Sequence, residues 1–149
     1  MTLKRLKTHI FFTLAKLPMK GQWRCRFMKM GGVDFADNHA FIGRNVDFDT
    51  MYPENIHIGR HVHVTASVCI LTHYLETRKA GINWRSGHVY IGDDTFIGVG
   101  TIICKDVRIG NNVIIGAGSV VTKDIPDNEM WAGNPAKFMK KREKMLGQL

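Results

Sequence analysis

Aliphatic residues recur at every sixth position through the second half of the chain: Ile91, Ile97, Ile103, Ile109, Ile115 and Val121. The same beat runs earlier through Ile58, Val64 and Ile70, and Ile42 opens a partial turn before it. Glycine usually follows the aliphatic, as in IGRNVD, IGRHVH, IGDDTF, IGVGTI, IGNNVI and IGAGSV. A small or β-branched residue stands four positions after it (Val46, Val62, Val68, Thr95, Thr101, Val107, Val113, Ser119). An α-helix, at about 3.6 residues per turn, would scatter such side chains around its axis. A chain that turns a corner every six residues gathers them, and three short strands then close a triangular coil of eighteen. Ile91 is predicted to stack on Ile109, Ile97 on Ile115, and Ile103 on Val121. The pattern therefore predicts a parallel β-helix of hexapeptides. About four coils, each roughly 4.8 Å high, leave two open sheet edges that need covering.

The flanks read differently. Leu3, Leu6, Ile10, Leu14 and Leu17 recur at helical spacing, and Phe11 widens the stripe. Pro18 stops that helix, and a second is predicted from Trp23 to Met30, ended by Gly31 and Gly32. Two uses of this cap stay open: covering the first coil, or resting on an anionic membrane surface. The column is predicted over about residues 40–126. Between Ile42 and Ile58 it holds four residues more than two hexapeptides, so DTMYPEN should contain a bulge. Between Ile70 and Ile91 it exceeds one hexapeptide by fifteen residues, so a loop over about 76–90 should leave the column, and such loops tend to carry function. After AGNPAK a short basic helix is expected, with Phe138, Met139, Met145 and Leu146 on its apolar side. All 149 residues read as one domain: a cap over 1–32, the column, and a turn and helix over 133–149.

Composition changes the picture in two respects. The formal net charge is +8, with Lys and Arg crowded at both ends, which favours anionic partners; no nucleic-acid-binding motif accompanies it. Three cysteines without CxxC spacing suit a reducing compartment, and IFFTLAKL, interrupted by Lys16, does not read as a secretory signal. A cytoplasmic protein is expected, with peripheral contact at the inner face of the membrane as an option.

The ordered segments ILTHYLETR, IGDDTFIGVGTIICKDVRIGNNVIIGAGSVVTKDIP and AGNPAK resemble the hexapeptide-repeat O-acetyltransferases, closest to their sugar and exopolysaccharide branch. The resemblance covers roughly residues 41–140. It implies an all-β-dominated chain whose coils wind left-handed, assembled as a homotrimer with active sites between neighbouring columns. It also implies transfer of an acetyl group from acetyl-CoA to a saccharide hydroxyl, with no metal. His73 matches the family's general base, a role suited to neutral imidazole near physiological pH. Asp49 is the candidate for holding its second nitrogen, with Glu54 as competitor. For the cofactor the resemblance implies Gly98, Val99, Ala117, Thr122 and Lys123 along the pantetheine arm, with Phe96 packing beside it. Lys137 and Lys140 match basic positions that meet the 3′-phosphate, without arginine's bidentate fork. From position on the loop, Arg78, Trp84 and Arg85 are candidates for contacting the sugar.

Other constellations point elsewhere. His88 is a reserve base. His57, His61 and His63 suggest a metal site, but His57 and His63 occupy equivalent places one hexapeptide apart and so should lie at different corners. Cys69 and Cys104 read as packing residues. None of the seven histidines has another five positions later, which argues against a zinc carbonic anhydrase on this scaffold. N-acetylation of an amino sugar and a non-catalytic assembly subunit remain as alternatives.

Overall fold

The computed structural model describes residues 2–77 and 80–143. Three mainly parallel sheets form the faces of a triangular column. The first face stacks Asp34–Phe35, Ile56–Ile58, Val89–Ile91 and Val107–Ile109, extended by a bridge from Ile109 to Ile125. The second stacks Phe41–Ile42, His63–Val64, Phe96–Ile97, Ile114–Ile115 and Glu129–Ala132. The third stacks Asp47–Phe48, Cys69–Leu71, Ile102–Cys104 and Val120–Val121. The fold is a left-handed parallel β-helix.

The predicted ladders form: Ile91 pairs with Ile109, Ile97 with Ile115, and Ile103 with Val121. They run further than the aliphatic beat indicates. Phe35, Ile42 and Phe48 supply a coil beneath, and Ile125 and Trp131 continue above, all buried. The column therefore begins near Asp34 rather than Ala40, because phenylalanine replaces the aliphatic at two corners of the lowest coil. The expected bulge in DTMYPEN contains a short 3-10 turn over Pro53–Asn55.

Two constraints shape each corner. The residue three positions after the ladder aliphatic has positive φ: Asn45, His61, Ser67, Asp94, Asn112 and Asn128, with glycine at 100 and 118. That left-handed conformation favours Gly, Asn and Asp. The glycine directly after the aliphatic answers to crowding instead. A Cβ on Gly98 would lie 2.5 Å from the Ala117 nitrogen of the next coil.

Both open ends are covered. Helix α1 (Leu3–Ala15) starts at Thr2, whose hydroxyl accepts from the Arg5 N–H, and α2 spans Gly21–Met30. α2 lies under the lowest coil, where the buried Arg24 donates to the Ile42 carbonyl at 3.2 Å. α1 packs through Thr8, Phe12 and Ala15, not through the leucine stripe that the heptad-like spacing singles out. At the upper end the described residues form no basic helix: Lys137–Lys141 form an antiparallel strand on Glu129–Ala132, with Phe138 opposite Trp131. An unpaired strand edge offers this segment backbone partners, and that pairing overrides a short helical pattern. Met145 and Leu146 lie outside the described residues.

Replacing Ile103, fully buried between Ile70 and Val121, with alanine should lower stability by about 2–5 kcal/mol. Urea denaturation checks this; a loss under about 1 kcal/mol would mean the ladder can collapse around the cavity.

Candidate active site

Where the third face turns into the first, the ends of two successive strands come together. Phe48 pairs with Ile70, and the ladder continues one step as the Asp49 N–H donates to the Ile70 carbonyl at 2.9 Å. This registry sets the Asp49 carboxylate beneath Thr72 and His73. Its Oδ2 accepts from the backbone N–H groups of Thr72 (3.0 Å) and His73 (3.1 Å), from the Thr72 hydroxyl (2.7 Å), and from His73 Nδ1 (2.6 Å). Oδ1 accepts from the Met51 N–H at 2.8 Å.

The Asp49 side chain has no solvent exposure. Burial opposes its charge, but the hydrogen bonds from His73, Thr72 and Met51 outweigh that penalty and hold the carboxyl below its ordinary pKa. An ionised carboxylate only accepts, so the neutral imidazole of His73 carries its proton on Nδ1 and keeps a lone pair on Nε2. That is the tautomer a general base requires.

His73 opens a short hairpin in which His73–Leu75 pairs with Trp84–Ser86. The extruded loop therefore contains paired strands, and it ends earlier than the expected boundary at 90, because Val89–Ile91 already belongs to the first face. A cavity of about 340 Å³ is lined by Met51, Tyr52, His73, Trp84, Arg85 and Ser86. The Trp84 ring stands 5.6 Å from that of His73 at 58°. Arg85 lies 3.7 Å from Glu76. Arg78 lies outside the described residues.

The competing candidates fall elsewhere. Glu54 pairs with Lys4 at 2.5 Å and does not reach His73. His88 is not in the cavity: its Nδ1 lies 3.1 Å from His57 Nε2 on the first face, where His57 Nδ1 also lies 2.9 Å from Asp34. The fifteen-residue insertion brings His88 and Tyr90 beside His57, a meeting that six-residue counting hides. A wider cleft of about 580 Å³ runs along that face. Its His57 has both ring nitrogens engaged, which leaves none to accept a substrate proton. His63 lies against Phe41 on the second face and His61 beside Asp94 at a corner. Among the described residues no group of three or more His, Cys, Asp or Glu side chains is arranged to hold a metal.

The expected cofactor residues divide between two edges of the column. Gly98, Val99 and Ala117 form one vertical edge, joined where the Gly118 N–H donates to the Val99 carbonyl at 2.8 Å. Thr122 and Lys123 follow Val121 on the edge that carries His73, two coils higher; the Lys123 ammonium sits 5.0 Å from the centre of the Trp131 ring. Lys137 and Lys140 project from the antiparallel strand that closes the second face. Phe96 is exposed on that same face. Thr72, Met51, Tyr52 and Ser86 were not expected as site residues; the THY triplet held the signal for Thr72, since a hydroxyl beside the base can share its carboxylate.

Residues 88–123 match the model of the bacterial transferase hexapeptide (six repeats). The chain is 45% identical over 118 residues to Protein CapG of Staphylococcus aureus, covering 75% of this chain and 67% of that protein. The chain belongs to the hexapeptide-repeat acetyltransferase family. It is also 35% identical over 101 residues to the putative acetyltransferase YvoF of Bacillus subtilis (strain 168); the match covers 68% of this chain and only 56% of that protein's length. Among solved structures, a maltose O-acetyltransferase from Clostridium difficile 630 superposes with a TM-score of 0.75 at 30% identity, covering 95% of this chain and 87% of that one. A galactoside acetyltransferase in complex with coenzyme A superposes with a TM-score of 0.67 at 28% identity, covering 94% and 81%.

The lowered pKa of Asp49 predicts how pH enters. Its charge contributes stability that is fully present above the unfolded-state value of about 4 and is lost as pH falls through the lower folded value. The stability advantage over Asp49→Asn should therefore be full at neutral pH and shrink below about pH 4. Thermal melts of both proteins across that range check it; a gap that widens on acidification would contradict the assignment.

Proposed function

We propose that this protein transfers the acetyl group of acetyl-CoA to a hydroxyl of a saccharide, with His73 as general base. The observation that carries this reading is the buried Asp49 carboxylate at 2.6 Å from His73 Nδ1, beside a cavity large enough for part of a sugar. In this reading Nε2 takes the proton of the attacking hydroxyl as its oxygen bonds to the thioester carbonyl carbon. The charge that develops on the imidazolium is offset by Asp49. Collapse of the tetrahedral intermediate breaks the carbon–sulfur bond, and the departing thiolate takes the proton back from Nε2. Backbone N–H groups of a neighbouring coil are the proposed donors to the oxyanion. Thiolate leaves readily, so the transfer needs no covalent acyl-enzyme.

The coenzyme assignment draws support from the galactoside acetyltransferase complex and from the exposed cations Lys137 and Lys140. The sugar acceptor draws support from the maltose and galactoside enzymes and from Trp84, whose exposed ring can stack on a sugar face. The acceptor's position on a polysaccharide or glycan precursor is an extension of the same reading.

A homotrimer is part of the proposal. His73 and the edge of Gly98, Val99 and Ala117 are separated by the whole third face, so a groove between two columns is the arrangement in which one chain's base and another's small-residue edge flank the same thioester. Phe41, Phe96, Val99 and Ile102 leave an apolar surface around that second edge, each at least 40% exposed. Such a patch is suited to burial against a second copy.

His73→Ala should cut turnover by about 100- to 10,000-fold, the range expected for removing a general base, with coenzyme affinity nearly unchanged. A transfer assay that follows free thiol release checks this, and full activity in the variant removes His73 from the mechanism. Replacing Lys137 and Lys140 with alanine should weaken binding of CoA more than of dephospho-CoA. Equal losses for the two would show that neither lysine meets the 3′-phosphate.

A further inference from the structure

We infer that the N-terminal helical cap is a docking surface for an anionic lipid bilayer. The two helices each carry a packed face and, opposite to it, a second apolar face that no described residue covers. In α1 the packed face is Thr8, Phe12 and Ala15. At about 100° per residue, Leu3, Leu6 and Ile10 lie on the far side and are exposed, Leu3 by 85%, and Leu17, just past the helix end, is exposed too. In α2 the packed face is Gly21, Arg24, Cys25 and Met28, whereas Trp23 and Met30 on the other side are about half exposed, at 51% and 49%. The two helices pack against each other, and the rings of Phe11 and Phe27 stack between them at 6.4 Å. Met19, Lys20, Trp23 and Phe27 also line an apolar groove of about 290 Å³ on this cap.

The charge around the stripes selects the occupant. Residues 1–33 contain eight Lys or Arg and no Asp or Glu. Arg24 is buried and Lys4 pairs with Glu54, but Arg5, Lys7, Lys16, Lys20, Arg26 and Lys29 are exposed. Two copies of this surface would bring like charges together. An anionic lipid surface presents the opposite sign and an apolar layer just beneath it. Trp23, with the Arg26 guanidinium 5.0 Å from its ring centre, is the residue pair suited to the headgroup boundary. No described helix is long and apolar enough to cross a membrane, so the cap would lie in the interface plane. This inference does not depend on acetyl transfer, and its failure would leave that reading intact.

Flotation of the full chain with vesicles tests it. Vesicles of phosphatidylglycerol and phosphatidylcholine should carry the protein, and vesicles of phosphatidylcholine alone should bind it at least tenfold more weakly. High salt should release it, since screening shortens the reach of the charges to a few ångströms. Leu6→Ser with Ile10→Ser, at exposed positions, should lower binding at least tenfold while the far-UV circular dichroism stays unchanged. Lys7→Glu with Lys20→Glu should do the same, and His73→Ala should bind like the unaltered protein. In brominated lipid the Trp fluorescence should be quenched, and Trp23→Phe should abolish most of that quenching although Trp84 and Trp131 remain. No binding to anionic vesicles at low salt would overturn the inference. So would serine variants that keep full vesicle binding, or that instead change the oligomeric mass, which would make the stripe a contact between copies.

Discussion

The register of each coil on the next governs the whole molecule, and buried ladders hold it. Side chains at the six-residue beat lie directly above one another, and where glycine follows the ladder residue it lets the next backbone approach closely, as the 2.5 Å limit at Gly98 illustrates. A slip by one residue would turn every ladder side chain outward. Because parallel strands pair across long stretches of chain, this constraint also fixes what can happen at the corners. Asp49 and His73 are 24 residues apart in sequence, yet the pairing of Phe48 with Ile70 leaves Asp49 one residue and His73 three residues beyond the same rung, with their side chains 2.6 Å apart.

A buried carboxylate is costly unless its lone pairs are filled. At Asp49 the donors are the backbone N–H groups of Met51, Thr72 and His73, the Thr72 hydroxyl and the imidazole itself, so the carboxylate and the His73 ring hold each other in place. The corner is thus pre-organised by the column rather than by the loop. The hairpin contributes His73, Trp84, Arg85 and Ser86 to the cavity, and the bulge that follows Asp49 contributes Met51 and Tyr52. In the proposed reaction this division assigns proton transfer to the column's corner and acceptor contact to the inserted segment.

Much of this was legible in the residues. Period six determined the strand positions and three ladder pairs, and the insertion before Ile91 located the hairpin. The link between Asp49 and His73 came from resemblance, since no local pattern reveals which carboxylate lies under a given histidine. The misses have physical causes. Phenylalanine at 35 and 48 fills the same ladder positions as isoleucine but breaks the aliphatic beat. The segment 137–141 carries a helical pattern too short to resist an available strand edge. In α1 the more conspicuous apolar stripe stays exposed and the quieter set of Thr8, Phe12 and Ala15 is packed, because helical periodicity shows that a face is apolar and not which surface it meets.

The central claim is that this column binds acetyl-CoA for use by an Asp49-oriented base, and calorimetric titration of the purified protein with acetyl-CoA tests it most directly. Saturable binding at a site per chain is the predicted result. An absence of heat or saturation at millimolar acetyl-CoA would contradict the account and leave His73 as a hydrogen-bonded corner residue of a non-catalytic scaffold.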